Sequence, residues 1–170
     1  MNTEPLRPFV VALVLALCAV LLGQGIGVAF GAVEDRMKGA LRDDAAAVLA
    51  TTYAGDEAKA KAVVDKSWVY VQRAHLHAGA LGTFALVLAL VLAWLPGKQR
   101  LRQASAVAVS VGSLGYGLFW LFAAFRAPGM GGTGAAKESL AWLAVPSTAL
   151  LVTGTVGAVV LTALSLRRRA

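Results

Sequence analysis

Along this chain charge is confined to a few places, and long stretches between them are continuously apolar. Uncharged runs cover 8–33, 74–97, 103–125 and 139–166. Each exceeds the roughly 20 residues that carry a helix across about 30 Å of hydrocarbon. The runs are rich in Leu, Ala and Val and do not alternate apolar with polar positions, as the strands of a membrane barrel do. The pattern predicts an all-α membrane protein, with residues 1–170 forming a single integral membrane domain built on a four-transmembrane-helix bundle.

The segment 34–73 is of a different kind. Met37, Leu41, Ala45 and Val48 recur at helical spacing before the sequence Thr51-Thr52-Tyr53-Ala54-Gly55. Gly55 reads as a helix stop, Asp56 as the cap of a second helix, and Glu57 as an acid in its first turn. No proline or other breaker marks the joins at Val33–Glu34 and Arg73–Ala74. Spans one and two are therefore expected to run on as an extramembrane helical hairpin, whose first arm, 34–50, would reach about 25 Å at a rise of about 1.5 Å per residue. The connection Arg126-Ala-Pro-Gly-Met-Gly-Gly-Thr-Gly lacks the Gly-Lys-Ser/Thr ending of a phosphate loop and follows no strand. It is expected to be a mobile link.

Composition agrees with a lipid environment: 58% hydrophobic residues, 15% charged and a mean hydropathy of +0.70. The formal charge of +7 would suit a nucleic-acid partner, but its distribution argues for topology instead. Between Glu34 and Arg73 seven acidic and seven basic side chains cancel. The excess sits at Arg7, at Lys98, Arg100 and Arg102, and at Arg167, Arg168 and Arg169. With four crossings these places share one side, which the positive-inside rule assigns to the cytoplasm. The expectation is a multi-pass protein of the inner (cytoplasmic) membrane with both termini cytoplasmic, the hairpin 34–73 outside and no nucleic-acid partner. Small residues at Val28-Ala29-Phe30-Gly31-Ala32 resemble a signal cleavage site. The run before them is nevertheless longer than the roughly 7–15 residues of a signal core, so it is expected to be retained. Cys18 is the one cysteine, which excludes an intrachain disulfide.

Both histidines, His75 and His77, stand where the hairpin gives way to the second span. Residues two apart on a helix point about 200° away from each other, so the pair cannot easily grip one ion. The His75 stripe holds Trp68, Gln72, Gly79 and Gly82, a groove that admits a packed helix or a flat macrocycle. The His77 stripe holds Tyr70, Arg73, Leu81 and Phe84, a mixture of interface anchors and lipid-like surface. On residue chemistry alone, both imidazoles also fit the headgroup zone beside Trp68, Tyr70 and Arg73, where amphipathic side chains collect without further function.

Further positions bear on packing and on the exclusion of other classes. Gly23, Gly27 and Gly31 form overlapping small-xxx-small pairs, and Gly112, Gly115, Gly117, Gly154 and Gly157 extend the theme, so a tight bundle is expected. Pro146, followed by Ser147 and Thr148, is a candidate bend. The spans hold no Asp, Glu, Lys or Arg, which disfavours an ion pathway. Gln24, Ser110, Ser113 and Tyr116 are too few for a proton relay, and no catalytic constellation is visible.

Leu-Leu-Gly-Gln-Gly-Ile-Gly-Val in the first span, with His75-x-His77 and Leu81-Gly82 in the second, resembles the small membrane proteins of the cytochrome c oxidase subunit I-like superfamily. Their second helix opens with a His-Ala-His-Leu-Asn-Leu-Leu-Gly-Trp type of motif, from which Gly79 and Thr83 depart. The resemblance implies haem b, or less readily a metal ion, bound through His75 and His77 with Gly79 and Gly82 beside the cofactor. It also implies electron transfer or a place in a respiratory membrane complex. The second axial ligand would be a methionine, for which Met130 is the candidate, a water, or a histidine of another subunit, most simply His75 of a second copy in a homodimer. The alternative is a cofactor-free accessory or assembly subunit that packs against other membrane subunits.

Overall fold

The structure is a computed structural model and describes residues 3–167. Arg168 and Arg169 of the basic tail lie outside the described residues. A 3-10 turn, Glu4–Phe9, leads into α1 (Val10–Ala47). It is followed by α2 (Leu49–Thr52), α3 (Glu57–Trp94), α4 (Gln99–Arg126), α5 (Thr133–Ser139) and α6 (Ala141–Arg167). Among the described residues there is no strand, and α1, α3, α4 and α6 are each long and apolar enough to cross a membrane.

The order of packing is α1 on α3, α3 on α4 and α4 on α6, with α1 also touching α4. Small residues occupy the seams: Ala12, Ala16, Ala19 and Gly23 of α1 are buried, as are Ala78, Gly82, Ala85 and Ala89 of α3. The bulky side chains, Val14, Leu21, Val28, Val87 and Val91 among them, face out. This inverts the rule for soluble bundles. Lipid tails are as apolar as valine, so association gains nothing from hiding large side chains and depends on how closely backbones approach.

The first residues of α4 tie one end together. The Arg102 guanidinium donates to the carbonyls of Leu92 and Ala93 at 2.7 and 3.2 Å, which satisfies orphan acceptors at the end of α3. Gln103 Nε2 donates to the Pro8 carbonyl at 2.6 Å. Pro96, Gly97 and Lys98 share a cleft with Leu161, Leu164 and Ser165. The N-terminal turn, the α3–α4 link and the end of α6 thus gather at one end of the bundle, as the distribution of basic residues required.

The hairpin forms at the opposite end, with one difference from the expected uninterrupted helix. Val33 has φ −143° and ψ 26°, so α1 kinks there. The kink falls two residues after Gly31, at the boundary between apolar and charged sequence, where helix propensity is low and the packing environment changes. Beyond it Leu41 and Ala45 face inward, and Ala45, Tyr53 and Ala60 form a small core with Val48, Leu49, Val63 and Val64. The turn is as read: Gly55 has φ +79° and the Asp56 side chain accepts from Lys59 N at 2.9 Å.

The glycine-rich link is not the free connection that its composition suggests. The Tyr53 hydroxyl donates to the Pro128 carbonyl at 2.7 Å, and Thr52 packs against Gly131, whose φ is +73°. The link then forms α5 before the last span starts at Ala141, and α6 runs on through Pro146. Tyr53 is 2% exposed, and burial raises its phenol pKa above the ordinary value of 10.0. A raised pKa means that the folded state holds the proton more tightly. The stabilisation is complete below pH 10 and is lost as pH rises through the folded value. Tyr53→Phe should cost about 1 kcal/mol, the usual net worth of one hydrogen bond, and should remove that alkaline loss of stability in thermal melts across pH.

Candidate functional site

The two histidines are fixed by different helices. His75, half-buried on α3, faces α1: its Nδ1 lies 2.7 Å from the Gly23 carbonyl oxygen. A carbonyl only accepts, so in the neutral ring Nδ1 carries the proton and donates, and Nε2 holds the lone pair. The ring rests over Gly27, where an added Cβ would come within 2.7 Å of Cε1. Phe30 closes the edge at 5.4 Å between centroids and itself lies 5.3 Å from Trp68, over which Lys38 places its ammonium at 4.8 Å. A glycine every fourth residue on α1 therefore makes the slot for an imidazole from α3. Gly23 and Gly27 showed their packing role in the sequence, but their occupant was not legible there.

His77 faces α4. Its ring centroid lies 5.3 Å from that of Tyr116 and 6.1 Å from that of Trp120. Of the stripe expected to mix anchors with lipid-like surface, Arg73 and Phe84 are exposed, while Tyr70 is taken into the bundle. Tyr70 is 2% exposed and meets Trp120 edge-on at 4.8 Å, in a core shared with Val71, Phe119 and Ala123. Arg73 stacks over both rings, its Cζ 5.4 Å from the Tyr70 centroid and 5.0 Å from that of Trp120. Tyr116 and Trp120, four residues apart on α4, were not singled out as site residues from the sequence. Their spacing toward the hairpin end of span three was the available signal.

Of the two occupants that the Gly79/Gly82 groove admits, the structure seats a helix. An added Cβ on Gly82 would lie 2.7 Å from Val20 N and 2.9 Å from Ala19 Cβ, and one on Gly23 would lie 2.5 Å from Gly79 N. Backbones at this separation leave no room for a macrocycle between α1 and α3. His75 and His77, on opposite sides of α3, do not converge on one ion. Among the described residues there is no group of three or more His, Cys, Asp and Glu placed to hold a metal. Met130 is exposed in the link after α4.

Above the histidines the hairpin arms enclose an open groove of about 610 Å³. Leu41, Ala45, Ala60 and Val64 floor it, and Lys38, Arg42, Glu57, Lys61 and Asp65 stand at its rim. Lys38 pairs with Glu34 and Lys61 with Asp65, each one helical turn apart. No family model matches the chain, and no curated protein and no solved structure shows significant similarity to it.

Proposed function

We propose that this protein is an accessory subunit of a larger membrane assembly, held in the bilayer by its four spans and engaging other subunits through the hairpin. The observation that carries this reading is the hairpin groove, an apolar floor rimmed by charges of both signs on arms that continue two membrane spans. Both imidazoles are meanwhile absorbed into helix packing, His75 against α1 and His77 against α4. Arg42 and Glu57 form no ion pair among the described residues, which leaves one charge of each sign on the rim for a partner. Such unmatched charges favour orientation and selectivity in association more than raw affinity. The membrane in question is the cytoplasmic membrane, with the basic end of the bundle inside.

Native electrophoresis of membranes solubilised in mild detergent tests the reading. The protein should migrate with a larger complex, and the double charge reversal Arg42→Glu and Glu57→Arg should release it. Migration as a free chain in both cases would reject the proposal.

A second reading is favoured by one observation, the hydrogen bond that fixes the His75 tautomer. An Nδ1–H anchored on a backbone carbonyl is the support that metal- and haem-ligating histidines commonly have, and it leaves Nε2 as a donor of electrons. A haem b would supply one-electron transfer. The α1–α3 seam leaves no room for it, so His75 and its counterpart in a second copy would have to hold it outside the bundle. Purified protein should then show a Soret band that is lost in His75→Phe, whereas no such band is expected of the accessory subunit.

A further inference from the structure

Arg73 is the last charged residue before the second span, and two aromatic rings, not a hydrogen-bond partner, set its position. Arg102 donates to backbone carbonyls and Arg126 to Ser139, but the Arg73 guanidinium has no hydrogen bond or ion pair among the described residues. It is nonetheless held in place, stacked over Tyr70 and Trp120 while its side chain remains exposed. Three further donors share its neighbourhood without an internal acceptor. Trp120 Nε1 is fully buried and unpartnered, and neither His77 nor the Tyr116 hydroxyl has a hydrogen-bond partner among the described residues. Arg73 and His77 lie one turn apart on α3, and Trp120 and Tyr116 one turn apart on α4, so the four form two rungs at the seam of these helices.

No carboxylate answers them. The α4 sequence contains neither Asp nor Glu, and the nearest acid toward the hairpin on α3, Asp65, is paired with Lys61. A cluster of cationic and neutral donors without acceptors is complementary to an anion with several oxygens. A planar guanidinium whose stem is immobilised by aromatic rings is suited to bind a phosphate with two parallel hydrogen bonds. Depth decides the source of that phosphate. Phospholipid phosphates lie just outside the roughly 30 Å hydrocarbon core, at the level of the boundary that Arg73 marks. Below Arg73 and His77 the same face of α3 continues through Ala80 and Phe84, both exposed, an apolar track for an acyl chain.

The geometry points to a phospholipid-binding site at the α3–α4 seam on the hairpin side of the membrane. The Arg73 guanidinium, set by the Tyr70 and Trp120 rings, holds the phosphate, and His77 and Tyr116 supply further donors. This site is separate from the hairpin groove and does not depend on the accessory role.

Native mass spectrometry of delipidated full-length protein in detergent tests the assignment, with phosphatidylglycerol, a diacylglycerol of the same chains and inorganic phosphate as separate probes. Wild type should bind one phosphatidylglycerol in preference to diacylglycerol. Arg73→Gln should weaken that binding roughly tenfold, and Arg73→Lys should restore only part of it, because an ammonium cannot form the bidentate pair. Arg42→Gln, which removes a cation from the hairpin groove, should leave binding as in wild type. Equal binding of phosphatidylglycerol by wild type and Arg73→Gln would overturn the proposal. Equal affinity for diacylglycerol, or displacement of the lipid by inorganic phosphate, would overturn the lipid assignment.

Discussion

Replacing Gly23 with alanine will force α1 away from α3. The new Cβ would lie 2.5 Å from Gly79 N, 2.8 Å from Gly79 Cα and 3.1 Å from the His75 carbonyl oxygen. All three are backbone atoms of one helix, so no rotamer change relieves the overlap and the helices must separate. Separation would also lengthen the bond from His75 Nδ1 to the carbonyl of the same residue, which couples the packing defect to a lost hydrogen bond. A loss of about 2–3 kcal/mol is expected, the upper part of the range for overpacking. For a chain of this size that is roughly 4–12 °C in melting temperature. Gly25→Ala is the matched control, since nothing lies within 4 Å of its added Cβ. It should be neutral or stabilising by up to about 1 kcal/mol through helix propensity. If the two variants melt together, the α1–α3 seam does not have the closeness described above.

That contrast between neighbouring glycines shows where sequence reasoning reaches and where it stops. The four spans were legible because lipid imposes a length and a composition on each crossing segment, and the shared end of the basic residues followed from counting crossings. The Gly55–Asp56 turn was legible because its signals are local: a left-handed glycine and a carboxylate cap. The spacing of Gly23, Gly27 and Gly31 announced a packing face but not its occupants, and Gly31 has nothing near it. Occupancy depends on the axial register between α1 and α3. That register is set jointly by the kink at Val33, the length of the hairpin and the size of every residue along the seam. The clasp of Tyr53 on Pro128 was invisible for a related reason, as its partners stand 75 positions apart in the chain. On the His77 stripe only Tyr70 departs from the expected mixture, because the placement of Trp120 on α4 turns that ring inward while Arg73 and Phe84 stay exposed.

The α4–α6 seam offers a test with a chemical readout. Alanine at Gly112 would place Cβ 2.6 Å from Leu151 N, 2.7 Å from Ser147 O and 2.9 Å from Leu151 Cα, again all backbone. Because α6 packs chiefly on α4, the helix should tilt away while the α1–α3–α4 unit persists. A cysteine pair at positions 105 and 157 can report this. An added Gly157 Cβ would lie 3.6 Å from Ser105 Cβ, inside the roughly 3.5–4.5 Å that a disulfide spans. In a Cys18→Ser background, Ser105→Cys with Gly157→Cys should cross-link readily under mild oxidation, and Gly112→Ala should slow the reaction severalfold. Gly115→Ala behaves differently, since its new Cβ meets the Ser147 side chain, hydroxyl first and Cβ next at 3.1 Å. Adding Ser147→Gly should therefore recover the cross-linking rate of Gly115→Ala and leave that of Gly112→Ala slow, a non-additive coupling confined to the pair in contact. Recovery of both variants by Ser147→Gly would mean that Gly112 meets a side chain and that the register of α6 on α4 differs from the one described.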